Sequence, residues 1–194
     1  MPSNVRVAVR VRPMLPHEQK QGHTQKLMTI DTEKNQLGIF QQDSNTRKNY
    51  AFDKILDGQY SQEDVFESLQ VPGLVQKVVD GFHATIFAYG QTGSGKTYTM
   101  EGYEYGAADR KNNPDQRAGK VVVSHFDSHN NGLTVRAIRD AFARADDAKK
   151  EKHISISCSF LQIYNEKVFD LLNSSKQFKN KNKEGLRIRW NKND

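Results

Sequence analysis

Gly90-Gln91-Thr92-Gly93-Ser94-Gly95-Lys96-Thr97 is the stretch on which the reading of this chain turns. It matches the pattern G-x-x-x-x-G-K-[ST] at every fixed position, a phosphate-binding loop when a strand precedes it and a helix follows. The run just before it, Ala84 to Tyr89 (ATIFAY), is short, apolar and uncharged, which predicts a strand buried on both faces. Glycines let successive backbone amides turn inward as a nest around phosphate oxygens, and the next helix adds the positive end of its dipole. Lys96 would bring a mobile point charge to the β- and γ-phosphates, and the Thr97 hydroxyl would bind a Mg²⁺ bridging them. A Gly-rich turn that merely joins strand to helix is the plainer alternative, and the complete match weighs against it.

The rest of the chain sets the scale. Its 194 residues fit one domain or part of a large one. Leu, Ile, Val and Phe make up about 23% of it, just above the ~20% below which a chain reads as disordered, so a modest core is expected. The net charge is +6. A lone cysteine, Cys158, excludes an internal disulfide framework and suits a reducing compartment; its place in an alternating run predicts a buried, inert thiol. No apolar run reaches the ~18 residues of a membrane span, and Met1-Pro2-Ser3-Asn4 opens no signal peptide. These features read as a soluble, basic, intracellular protein.

Outward from the loop, Val5, Val7, Val9 and Val11 alternate with Arg6, Ala8, Arg10 and Arg12, which predicts a strand ended by Pro13. Short alternating runs between residues 27 and 52 predict a small meander. Ser61 with Glu63 and Asp64 reads as a helix start, Gly81 as a stop, and Pro72 demands a kink or two helical pieces between them. Residues 103 to 131 are polar and Gly-rich apart from Val121 to Val123, a long insertion that is uncommon inside a compact domain. Leu133 to Ala145 resumes helical spacing, Ile154 to Leu161 alternates as a strand, and Leu186 to Trp190 is briefly strand-like. The order is that of an α/β protein with helices covering a central sheet. That 89 residues precede the phosphate loop points away from simple kinases and small GTPases, which carry it on their first strand, and towards a motor-type P-loop protein.

Four blocks, in order, resemble the N-terminal part of a kinesin motor domain. They are Val9 to Pro13 (VRVRP), Gly81 to Gly102 (GFHATIFAYGQTGSGKTYTMEG), Ser159 to Leu172 (SFLQIYNEKVFDLL) and Gly185 to Arg189 (GLRIR). The resemblance implies a P-loop NTPase of the kinesin/myosin motor type, with a central, mostly parallel sheet flanked by helices and truncated at its C-terminal side. It implies ATP and Mg²⁺ as ligands. Gly90, Gln91, Thr92, Gly93, Ser94, Gly95, Lys96 and Thr97 would hold the phosphates and the metal. Arg10, Arg12 and Pro13 form the adenine-side element, with Arg10 and Pro13 packing on the base and Tyr98 bordering it. Departures are Phe82-His83 for the common Tyr-Asn, Phe160 and Gln162 for Tyr and Glu, Leu133 to Arg136 for Ile-Ile-Pro-Arg, and the enlarged insertion. That insertion resembles an expanded loop in the helix after the P-loop, where it would regulate nucleotide exchange.

The family's two switch strings, N-x-x-S-S-R-S-H and D-L-A-G-S-E, do not occur in these 194 residues. The expectation is therefore a motor domain over residues 1–194, incomplete at its C-terminus, that carries the nucleotide-binding half and is inactive in hydrolysis by itself. Catalytic switch residues are not assigned. The rival is a non-catalytic nucleotide- or microtubule-binding module that ends near residue 194. The implied partner is the microtubule, the implied location the cytoplasm and its microtubule cytoskeleton, and oligomerisation would run through a stalk outside this chain; no nucleic acid or membrane segment is implied. Two weaker signals stand apart. His125 and His129 are four apart but have no third metal ligand nearby, and Lys176, Lys179, Lys181 and Lys183 form a basic stretch that reads first as a solvated loop.

Overall fold

The computed structural model describes residues 5–20, 27–41, 43, 45–102, 128–150, 153–172 and 185–189. Most of the long insertion (103–127), His125 and the lysines of the basic stretch lie outside them. The chain divides into two compact units, Met1–Lys150 and Glu151–Asp194.

In the first unit the valine-rich start forms β1 (Ala8–Arg10), which pairs in parallel with β5 (Lys54–Leu56), Ala8 opposite Lys54 and Arg10 opposite Leu56. The Val11 amide extends the ladder to the Leu56 carbonyl at 2.8 Å. A one-turn helix α1 (Pro16–Lys20) follows β1. Between them and β5 lies the expected meander, β2 (Met28–Asp31), β3 (Gln36–Gln41) and β4 (Thr46–Ala51), antiparallel throughout.

Ser61 caps α2 (Gln62–Ser68) with a full capping box: its hydroxyl accepts from the Asp64 amide, and the Asp64 carboxylate accepts from the Ser61 amide at 2.9 Å. The Ser61 hydroxyl also donates to the Asp64 carboxylate at 2.7 Å, and this bond first, the Ser61 amide second, holds the Asp64 carboxyl below its ordinary pKa. The break anticipated at Pro72 is real. Gln70 sits in the left-handed region at φ 55, and α3 (Val71–Val79) restarts with Pro72 in its first turn, where the missing amide costs nothing. Arg6 spans the break, donating to the Gln70 side chain at 2.5 Å and to the Leu69 carbonyl at 3.3 Å. α3 ends in a Schellman pair, Phe82 N–H to the Lys77 carbonyl and Gly81 N–H to that of Val78.

The phosphate loop leads into α4 (Lys96–Met100), and α5 (Leu133–Asp147) closes the unit. Leu56, Val65, Phe66, Val71, Val75 and Leu133 form the buried core, with Ile86, Met100 and Ala137 packed against it. Burying each such aliphatic or aromatic side chain stabilises by about 1.5–3 kcal/mol. β5, α2, α3 and α5 therefore share one core, on which Ile86 before the glycine-rich loop and Met100 after it are packed.

Ala84 to Tyr89 differs from the strand its composition predicts. It joins no ladder among the described residues, and its side chains alternate: Ile86 packs on the core, whereas Phe87 and Tyr89 are 80% and 96% exposed. Apolar content specifies a buried strand only where neighbouring strands supply hydrogen bonds on both edges, and none among the described residues does so here.

The second unit holds the hairpin β6 (Leu161–Tyr164) and β7 (Lys167–Asp170). Asn165 and Glu166 link the strands with φ of 47 and 60, the two left-handed residues of a type I′ turn. Leu186 bridges to Val168, its amide donating to the Val168 carbonyl at 2.6 Å. The strand expected from Ile154 to Leu161 is shifted: residues 153–160 carry no strand, ladder pairing begins at Leu161, and only the Phe160 carbonyl extends it among the described residues, accepting from the Leu171 amide at 2.8 Å. Cys158 is accordingly exposed, not buried.

Candidate functional site

The eight residues of the motif close into one loop between the apolar run and α4. Gly90 packs so tightly on Ser94 that a Cβ would lie 2.6 Å from its hydroxyl oxygen. Gly93 and Gly95 take φ of +80 and +98, backbone that side-chain-bearing residues adopt only with strain. The amides of Gly95, Lys96 and Thr97 have no acceptor among the described residues, which leaves a run of successive donors of the kind that suits an anion. Lys96 folds back over its own loop, its ammonium donating to the carbonyls of Gly90 at 2.8 Å and Gln91 at 2.9 Å. Two of its three protons shape the loop and the third remains for a ligand. Gln91, Thr92 and Thr97 are exposed, the last with its hydroxyl at the start of α4.

The arginine-rich strand end reaches this loop through two different side chains. Arg12 grips the Glu18 carboxylate of α1 with both terminal nitrogens, at 2.5 and 2.7 Å, and its Nε donates to the Gly93 carbonyl at 2.8 Å. Donating to the Glu18 carboxylate raises the Arg12 pKa above its ordinary value. Arg12 thus ties the phosphate loop to α1. Pro13 is exposed beside it and rests on Gly58, where an added Cβ would come within 3.1 Å of the Pro13 nitrogen.

Arg10 is held differently. One of its terminal nitrogens donates to Gln62 Oε1 at 2.9 Å and to Thr99 Oγ1 at 3.0 Å, and the guanidinium lies over the Tyr98 ring, 5.2 Å from its centroid. Burial lowers its pKa, and the field of Tyr98 partly offsets this. A guanidinium nevertheless keeps its proton. Gln62 is 1% exposed and also donates from Nε2 to the Tyr98 carbonyl at 2.6 Å and, more weakly, to the Asn130 carbonyl at 3.5 Å. It joins β1, α2, α4 and the residues leading into α5.

The structure therefore brings Arg12 to the loop from Gly90 to Thr97 and Arg10 to Tyr98 just after it, with Pro13 next to Arg12 and resting on Gly58. Gln62, Thr99 and Glu18 were not anticipated. A glutamine one residue after a serine cap reads as solvated first-turn surface, and only its burial shows otherwise. Glu18 carries a faint signal as the acid six residues beyond Arg12.

A strand-end arginine pair, a glycine-rich phosphate loop and a helix opening on Lys-Thr define a P-loop NTPase of α/β class. The chain matches the family model described as "Kinesin motor domain" over residues 10–194. It is 34% identical over 178 residues to kinesin-like protein KIN-12B of Arabidopsis thaliana, covering 89% of this chain and 12% of that protein. It is 36% identical to KIN-14D of the same plant (89% and 19%) and 33% identical to kinesin-like protein KIF11 of Mus musculus (89% and 15%). The chain belongs to the kinesin motor domain family. It spans between about a tenth and a fifth of the length of these curated relatives.

Proposed function

We propose that this chain binds Mg²⁺-ATP at the loop from Gly90 to Thr97 and serves the nucleotide-binding part of a kinesin-like motor that couples ATP hydrolysis to movement along microtubules. The observation that carries the reading is the loop itself. Its glycines leave the amides of Gly95 to Thr97 with no acceptor among the described residues, and Lys96 is already drawn over it.

The β- and γ-phosphates would lie against those amides and the Lys96 ammonium. The exposed Thr97 hydroxyl would hold the Mg²⁺, whose charge neutralises the oxygens between the two phosphates. Arg10 and Tyr98, already stacked, with Pro13 alongside, would border the adenine. Arg12 acts one step back, holding the Gly93 carbonyl rather than the base. Residues 1–194 form the motor-domain portion in this reading, 103–131 being an insertion after α4, and the protein works on microtubules in the cytoplasm.

The test is ATP turnover with and without polymerised tubulin, by the protein carrying this chain. Turnover should rise with microtubules and vanish in Lys96→Ala. Turnover that persists in Lys96→Ala would contradict the phosphate assignment, and turnover indifferent to microtubules would contradict the motor.

A further inference from the structure

Arg10 and Arg12 are two residues apart on the same strand end, yet their surroundings differ. Arg12 has a carboxylate. Arg10, half-buried, has none among the described residues; its hydrogen bonds go to two neutral oxygens, Gln62 Oε1 at 2.9 Å and Thr99 Oγ1 at 3.0 Å. A desolvated cation without a counter-anion is costly unless its geometry serves something else. Here both oxygens converge on one terminal nitrogen, and the planar group is pinned above Tyr98, the residue next to Thr97. Gln62 fixes the other layer too, through the Tyr98 carbonyl at 2.6 Å. Thr99 is itself anchored, donating to the Gly95 carbonyl of the phosphate loop at 2.9 Å. The stack of guanidinium and phenol is thus set from behind by a buried amide and from the loop side by a hydroxyl.

We propose that Gln62 and Thr99 are positioning residues for the nucleotide base: they hold Arg10 over Tyr98 as a preformed platform, and so decide how much of the affinity comes from the base rather than from the phosphates. The inference rests on the nucleotide reading above. It predicts a specific split. Loss of either anchor frees the guanidinium to swing or hydrate, which weakens stacking with a purine; the Lys96 contacts stay, and without the Thr99 hydroxyl the Gly95 carbonyl still accepts from the Thr99 amide at 2.9 Å, so the loop keeps its shape.

The measurement is the ratio of two affinities of the full chain, for Mg²⁺-ATP and for inorganic triphosphate, which has the same charge pattern and no base. In Gln62→Leu the ATP advantage should shrink about tenfold, the scale of a lost hydrogen bond to a charged group, while triphosphate affinity stays within about twofold. In Thr99→Val, which buries no orphaned amide, it should shrink about threefold, one neutral anchor remaining. Thr99→Val decides the matter if Gln62→Leu does not fold. An unchanged ratio in the folded variants, whether both affinities fall together or neither moves, overturns the proposal. An unmodified chain that binds triphosphate but gains nothing from the base removes the platform and spares the phosphate site. A chain that binds neither removes the nucleotide reading itself.

Discussion

Two pairs of glycines flank α4, and they are glycines for opposite reasons. Gly93 and Gly95, before the helix, have open space around the position of a Cβ and need glycine only for their positive φ. Gly102 and Gly132, after it, have no space at all. A Cβ on Gly102 would lie 1.8 Å from the Asn130 carbonyl oxygen, and one on Gly132 would lie 2.6 Å from the Met100 carbonyl carbon. The Gly132 amide closes the contact on the Glu101 carbonyl at 3.0 Å. The first pair leaves its surface open; the second lets backbone lie on backbone, so that Gly102 and Gly132, on either side of residues 103–131, meet. One pair is open and the other packed, although both read alike as punctuation in the sequence.

The sharpest way to break that contrast is Gly102→Ala. It combines a left-handed backbone (φ +76) with a backbone clash that no side chain can relieve. A loss of about 3 kcal/mol or more is expected in denaturant unfolding, the sum of overpacking and left-handed strain. A loss below about 1 kcal/mol would mean that the stem is not pinched. Gly95→Ala should cost less stability, about 1–2 kcal/mol from strain alone, and yet weaken triphosphate binding sharply. If it destabilises as much as Gly102→Ala, the two pairs are not different in kind. Away from both pairs, Ser61→Ala should cost about 1 kcal/mol through the capping box.

The smallest effect concerns pH. The folded-state pKa of Asp64 is depressed, so its contribution is present above the ordinary carboxylate range and is lost as pH falls through the folded value. Asp64→Asn should therefore flatten the acid limb of the stability profile, measured as unfolding midpoint against pH. A limb of unchanged slope would show that the cap does not titrate.

Local signals proved legible and non-local ones did not. The glycine-rich turn from Gly90 to Thr97 with the helix it opens, the capping box at Ser61, the interruption at Pro72 and the meander are each written in a handful of neighbouring residues, and each of these local shapes stands in the structure as read. Ala84 to Tyr89 and Ile154 to Phe160 were read from apolar content and alternation. Strand identity there depends on which other segments offer hydrogen bonds, and no local pattern carries that. The Arg10–Gln62 contact joins residues 52 apart and the stem joins Gly102 to Gly132, so neither could be seen from spacing. At the candidate site, the loop residues from Gly90 to Thr97 were visible because the motif names them. Those that hold them in place, Gln62, Thr99 and Glu18, were invisible because burial and partner, not residue type, give them their role.

The central claim is that the loop from Gly90 to Thr97 binds a triphosphate through Lys96 and the loop amides. Calorimetric titration of the full chain with Mg²⁺-ATP, beside Lys96→Ala, tests it most directly. The account predicts saturable binding that weakens at least about a hundredfold in Lys96→Ala while the thermal midpoint barely moves, as expected for the loss of a charge-assisted contact to phosphate. Equal affinity in the two proteins would contradict it.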